Sequence, residues 1–130
     1  MEDFEDIRII DLDVDKTKPS KKASEMRWLY LKLSSLPDNT WNEFFNQSRQ
    51  QKADTNQREA WVEGDYIIID CVPNELETHH LKELKENVLF ANDSCRKIID
   101  QRKKDEDDYS NKQKKEKDKL NELRKRLQFD

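Results

Sequence analysis

The chain of 130 residues contains one glycine, Gly64. Glycine is needed where backbone must approach a ligand or adopt a left-handed turn. Its near absence excludes glycine-rich phosphate loops, dinucleotide fingerprints and nucleophile elbows. Cysteine is scarce too. Cys71 and Cys95 form no C-x-x-C pair, so no structural zinc motif is signalled. Each lies among apolar neighbours, which predicts two buried free thiols rather than a disulfide. No apolar run approaches the ~20 residues of a membrane span. Met1 is followed by acids instead of a basic and then apolar leader, so the expected location is cytoplasmic.

Apolar side chains are few and unevenly spread. They make up 33% of the chain against 42% charged residues. Only five fall in the last thirty residues: Tyr109, Leu120, Leu123, Leu127 and Phe129. Residues 1–100 can therefore build a small core, whereas 101–130 cannot build one alone. The expected organisation is an α+β domain over 1–100 followed by a charged helical extension or disordered tail over 101–130. Charge is segregated as well. The first fifteen residues carry seven acids against Arg8, and residues 101–130 carry eleven bases against eight acids. Such opposed ends attract each other or select partners of opposite sign.

Local patterns give the order ββαββα. Residues 7–14 alternate and are rich in β-branched side chains, which predicts a strand. Residues 15–25 read as a flexible linker, and 27–33 as a second strand. Thr40 and Glu43 form a capping box that opens a helix with Trp41, Phe44 and Phe45 on one side. That helix fades into the polar, unperiodic stretch 46–57. Two strands follow, 59–63 and 66–72, joined by a hairpin turn at Glu63-Gly64-Asp65. Pro73 and Asn74 then open a long helix. Its seam is Leu81, Leu84, Val88, Ala91, Cys95 and Ile98, with a weak point at Asn92-Asp93-Ser94 that leaves open one continuous helix or a kink or restart there. Leu120, Leu123 and Leu127 resume a stripe shifted by one position.

The segment from 27 to the long helix is β-α-β-β-α, which resembles a ferredoxin-like split βαβ without its last strand. The strand at 7–14 fills the vacant edge. The expected fold is a two-layer α+β sandwich with a circularly permuted ferredoxin-like antiparallel sheet, ordered 7–14, 27–33, 66–72, 59–63. The two most apolar strands then lie centrally. The resemblance is one of architecture and implies no function.

Alternate side chains of a strand point to opposite faces. Leu29, Leu31, Leu33, Ile67, Ile69, Cys71, Ile10, Leu12 and Val14 are assigned to the helix side. Ile7, Ile9, Trp28, Tyr30, Tyr66 and Ile68 are then expected on the other face, a patch larger than a monomer leaves wet. These six are the candidate partner-binding residues, unless the C-terminal segment folds back over them. Nucleic acid is the rival ligand, since RNA-recognition sheets stack bases on aromatics. The acids Asp11, Asp13, Asp15 and Asp70, with Lys32 the only base on that face of the central strands, oppose it. The basic clusters Arg102-Lys103-Lys104, Lys114-Lys115 and Arg124-Lys125-Arg126 are candidate nucleic-acid contacts of their own, tempered by interleaved acids.

Candidates for chemistry are sparse. Asp11 and Asp13 superficially resemble the aspartate motif of haloacid-dehalogenase phosphatases, without that family's downstream lysine or glycine-containing loops. They offer carboxylates for Mg²⁺ in an alternative, enzymatic reading. His79 lies one helical turn from Glu75 and Glu83, a weak zinc-like spacing that more simply marks a solvated face. The expected protein is a non-catalytic binding or assembly factor without cofactor or metal. It acts through an aromatic sheet face and a C-terminal helix, on a protein partner or a second copy. A nucleic-acid-binding accessory role is the alternative.

Overall fold

The computed structural model describes residues 4–51 and 57–127. Residues 1–3, 52–56 and 128–130, Phe129 among them, lie outside the described residues. The strands are β1 (Ile9–Leu12), β2 (Lys18–Pro19), β3 (Arg27–Leu33), β4 (Ala60–Glu63) and β5 (Tyr66–Cys71). The helices are α1 (Asn39–Gln51), the single turn α2 (Pro73–Glu75) and α3 (Leu81–Arg126), with a π turn over Leu76–His80 between the last two. The sheet order is β1-β3-β5-β4, with every pairing antiparallel. It is an open α+β sheet carrying a long C-terminal helix, and its order is the one expected from the hydrophobic pattern.

The segment read as a linker carries structure. A 3₁₀ turn spans Val14–Lys16, and β2 continues along the same flank of β3, pairing Lys18 with Trp28. Proline is tolerated there because β2 is an edge strand whose outer side needs no donor. The β4–β5 turn uses Gly64 at φ +60°, which its missing Cβ permits.

The core lies between one sheet face and the helices. Leu29, Leu31, Leu33, Ile67, Ile69 and Cys71 meet Trp41 and Phe45 of α1 and Leu84, Val88, Ala91 and Cys95 of α3. Trp41 and Phe45 are stacked at 5.6 Å and fully buried. Helix α1 begins one residue before the expected capping box. Asp38 caps it, its Oδ1 accepting the Trp41 N–H at 2.8 Å.

The face assignment of the first strand is corrected. Ile7 is buried in the core and Ile9 packs against it, both on the helix side rather than the open face. Ile10 and Val14, expected inside, are 56% and 71% exposed. A bulge between Ile9 and Asp11 accounts for Ile7, Ile9 and Ile10: Ile9 pairs with Leu33, but Asp11 pairs with Lys32; Val14 is exposed because it lies beyond β1, in the 3₁₀ turn Val14–Lys16. One extra residue inverts the alternation on one side of it. Leu12 does lie opposite Leu31, yet at the sheet edge it is 39% exposed and outside the core.

Two points left open for α3 are decided. The helix does not kink at Asn92-Asp93-Ser94 but runs unbroken over 46 residues, ~70 Å at the usual rise. The polar Asn92 stays helical because its side chain is hydrogen-bonded into the core. The C-terminal segment is helical to Arg126 and does not fold back over the sheet, since residues 104–127 are all exposed.

Candidate functional site

The open sheet face is built by alternation on β3 and β5. Trp28, Tyr30 and Lys32 point away from the helices, as do Tyr66, Ile68 and Asp70. Trp61 of β4 joins them, because the register sets Trp61, Ile68 and Tyr30 side by side across three strands. The sequence reading omitted Trp61. Its place follows from its position opposite Ile68, once the hairpin at Gly64 fixes the register.

The rings pair edge to face. Trp28 and Trp61 lie 5.1 Å apart, and Tyr30 and Tyr66 lie 5.9 Å apart. Together they bury Ile68 completely and Tyr30 to 7% exposure, leaving Trp28, Trp61 and Tyr66 half-buried. Of the six expected patch residues, the structure therefore gathers Trp28, Tyr30, Tyr66 and Ile68, and sends Ile7 and Ile9 to the other side. The patch is smaller than expected and partly covers itself.

Its two ends differ in charge. At the tyrosine end, Lys16 stands 5.1 Å from the Tyr66 ring centre, Lys18 5.6 Å from Tyr30 and Lys32 4.9 Å from Tyr66. These are cation–π distances. Lys32 also pairs with Asp65, which holds the lysine above and the aspartate below their ordinary pKa ranges. The Tyr66 hydroxyl donates to Asp13 Oδ2 at 2.9 Å, and this bond raises the phenol's pKa. Two of the lysines come from the stretch 15–25, where sequence spacing alone gave no reason to bring them over the sheet. At the tryptophan end the setting is acidic and dry. Asp70, opposite Trp28, is 97% buried, and its Oδ1 has no hydrogen-bond partner among the described residues. A buried carboxylate oxygen left without a donor is costly, and such groups concentrate where function retains them.

The other candidate sites do not assemble. Asp11 Oδ1 accepts the Leu12 N–H at 2.9 Å, and Asp13 is engaged by Tyr66. Among the described residues, no three His, Cys, Asp or Glu side chains converge to hold a metal. His79 is exposed, and the buried histidine is His80, whose Nε2 lies 3.2 Å from Glu75 Oε2. Glu83 turns instead to Arg49 at 3.2 Å. Cys71 and Cys95 are both buried free thiols. The basic residues Arg102, Lys104, Lys114, Lys115, Arg124, Lys125 and Arg126 are exposed along α3, and Lys103 is half-buried.

No protein-family description matches this sequence, and neither a curated protein nor a solved structure matches the chain.

Proposed function

We propose that the protein is a non-catalytic binding or assembly factor that holds a protein partner on its open sheet face and on the free half of α3. The observation that carries this reading is the pair Trp28–Trp61 beside the partnerless carboxylate of Asp70, on a face that neither long helix covers. Half-buried tryptophans around a dry polar group have the composition of an interface anchor: large apolar area, and one acceptor that a donor from outside can satisfy. The chemistry of that end favours a partner presenting an arginine or lysine, which would stack on indole and bond to Asp70 Oδ1. The tyrosine end, capped by its own lysines, forms the rim.

The test is capture from an extract of the source cells by full-length chain, Trp28→Ala and Asp70→Asn, with each variant's melting temperature measured first. The reading expects one protein held stoichiometrically by the wild type and lost from both variants while they remain folded. A wild type that is monomeric across dilution, retains no protein, and binds nucleic acid through residues 101–130 would overturn it.

A further inference from the structure

The second surface of the proposed binding protein identifies its own partner by charge, and this inference rests on the reading just given. Tyr109, Leu120, Leu123 and Leu127 are 65%, 57%, 42% and 49% exposed. With Gln113 and Glu116 between them they are spaced 4, 3, 4, 3, 4, the alternation of a two-stranded coiled-coil seam. Gln113 Nε2 donates to the Tyr109 hydroxyl at 2.8 Å, so neighbouring seam positions already touch. The stripe is narrow and interrupted by polar residues. A helix lying on a membrane surface needs a broader apolar face.

The positions that border this seam are Lys112, Lys117, Lys119, Arg124 and Arg126, with Ser110 the only uncharged one. Every charge on the two flanks is positive; Glu116 is the one acid, in the seam itself, and Asp118 and Glu122 lie on the far side of α3. Among the described residues none of the five cations is in an ion pair. A second copy is a poor neighbour in either direction. In a parallel pair Lys112 meets Lys117 and Lys119 meets Arg124. In an antiparallel pair each flank meets its own kind, which is again basic. Within the chain, Asp6 is engaged by Arg96, ~24 Å up the helix from Lys112.

We infer that residues 109–127 are one strand of a heteromeric coiled coil. The occupant of the seam is an amphipathic helix of another protein, with aliphatic seam residues and glutamate or aspartate on both flanks. The uniform basic border excludes self-pairing and selects that partner, and Gln113 and Glu116 set the register.

The probe is a four-heptad peptide with an Ile/Leu seam and Glu at every flanking position, titrated into the full-length chain by calorimetry. A second peptide carries Lys at those positions. The Glu peptide is expected to bind at least about tenfold more tightly, with a preference that weakens at 0.5 M salt. Reversing the border (Lys112→Glu, Lys117→Glu, Lys119→Glu, Arg124→Glu, Arg126→Glu) should invert the preference. Leu120→Asn with Leu123→Asn should abolish binding, with circular dichroism showing that both variants stay helical. Trp28→Ala should change nothing, which separates this surface from the sheet face. Equal binding of the two peptides, or none, overturns the inference. So does a wild type that dimerises through Leu120 and Leu123. Leucine-dependent binding to phosphatidylcholine–phosphatidylserine vesicles, or to an oligonucleotide, in preference to the Glu peptide also overturns it. Failure of the peptides beside a persisting Trp28-dependent complex removes this inference and leaves the wider reading in place.

Discussion

Asn92 grips Ile7 by both of its backbone polar groups. The Asn92 Oδ1 accepts the Ile7 N–H at 3.0 Å, and its Nδ2 donates to the Ile7 carbonyl at 2.8 Å. The same Oδ1 accepts the indole N–H of Trp41 at 2.9 Å. One amide in the middle of α3 thus stands in for a sheet neighbour to the residue before β1 and ties α1 to both. It also explains why an asparagine, a poor helix former, sits in the helix without bending it.

The first prediction follows from that clamp. Asn92→Leu strips partners from three buried backbone and indole groups at once. It is expected to destabilise the fold by ~3 kcal/mol, the cost of orphaning buried polar groups rather than of losing one bond. Urea unfolding followed by tryptophan fluorescence measures it. A loss below about 1 kcal/mol would mean that water replaces the amide.

A second buried polar group is Arg49, 94% buried, which binds Glu83 at 3.2 Å, Asn87 Oδ1 at 3.0 Å and the Arg58 carbonyl at 2.5 Å. Asn87 passes its own N–H to Ser48 at 2.9 Å. Burial lowers the guanidinium pKa and Glu83 opposes this. Arg49→Ala should cost ~2–3 kcal/mol, less than for a wholly buried pair because Glu83 keeps a quarter of its side chain in water. Arg49→Met, which refills the volume, should recover part of the loss, as read from the urea midpoint.

These two networks mark where the sequence was legible and where it was not. Strand order was readable because β3 and β5 are continuous apolar runs with a glycine turn beside them, and burial allows such strands one register. The helix-side residues Leu29, Leu31, Leu33, Ile67 and Ile69 followed from simple alternation. The bulge at Ile10 was not readable, since one inserted residue leaves composition unchanged yet turns Ile7 and Ile9 inward and Ile10 outward. The buried roles of Arg49, Asn87 and Asn92 were not readable, because polarity alone does not reveal a partner 38 to 85 positions away. Lys16 and Lys18 reach the aromatic face through β2, a two-residue strand containing proline that carries no periodic signal. The free half of α3 was legible in the opposite sense: a stretch with three spaced leucines and no core had nothing in its own chain to pack against.

The cysteines give a prediction about pH. Burial is the first cause that pushes both thiols up from 9.0 to about 11; Glu75 adds to this at Cys71 and Asp38 at Cys95. The native state therefore holds the protonated form, and the unfolded chain ionises near pH 9. Their contribution to stability is whole below pH 9 and is lost as pH rises from 9 towards 11. Both thiols should react with a disulfide reagent at pH 8 only at the rate of unfolding, and at once in 8 M urea. Rapid reaction of either in the native protein would show that its site opens.

At acid pH the expected sign is reversed. The His80 hydrogen bond, and after it Arg58, hold the Glu75 carboxyl below its ordinary 4.5. That interaction stabilises the fold above pH 4.5 and disappears as pH falls through the lower native value. Glu75→Gln should lower the urea midpoint at pH 7 and match the wild type at pH 3. An equal difference at both pH values would assign the effect to packing instead of charge.

The last prediction separates the body of the protein from its extension. Core contacts end at Cys95, with Ile98 half-buried just beyond, and every residue from 104 to 127 is exposed. Nothing in the sheet or α1 is buried by that stretch, so removing it should leave the body's burial intact. A chain ending at residue 103 should melt within about 2 °C of the full-length protein, because the lost helix contributes little beyond its own local terms. Its ellipticity at 222 nm should fall by the share of 23 helical residues, 104–126, and its light-scattering mass should remain that of one chain. A drop of more than about 5 °C, comparable to the loss of ~1 kcal/mol in a domain this size, would mean that the extension does pack on the body. Aggregation of the shortened chain would mean that it shields the aromatic face. Either result would remove the basis for treating residues 105–127 as a free arm.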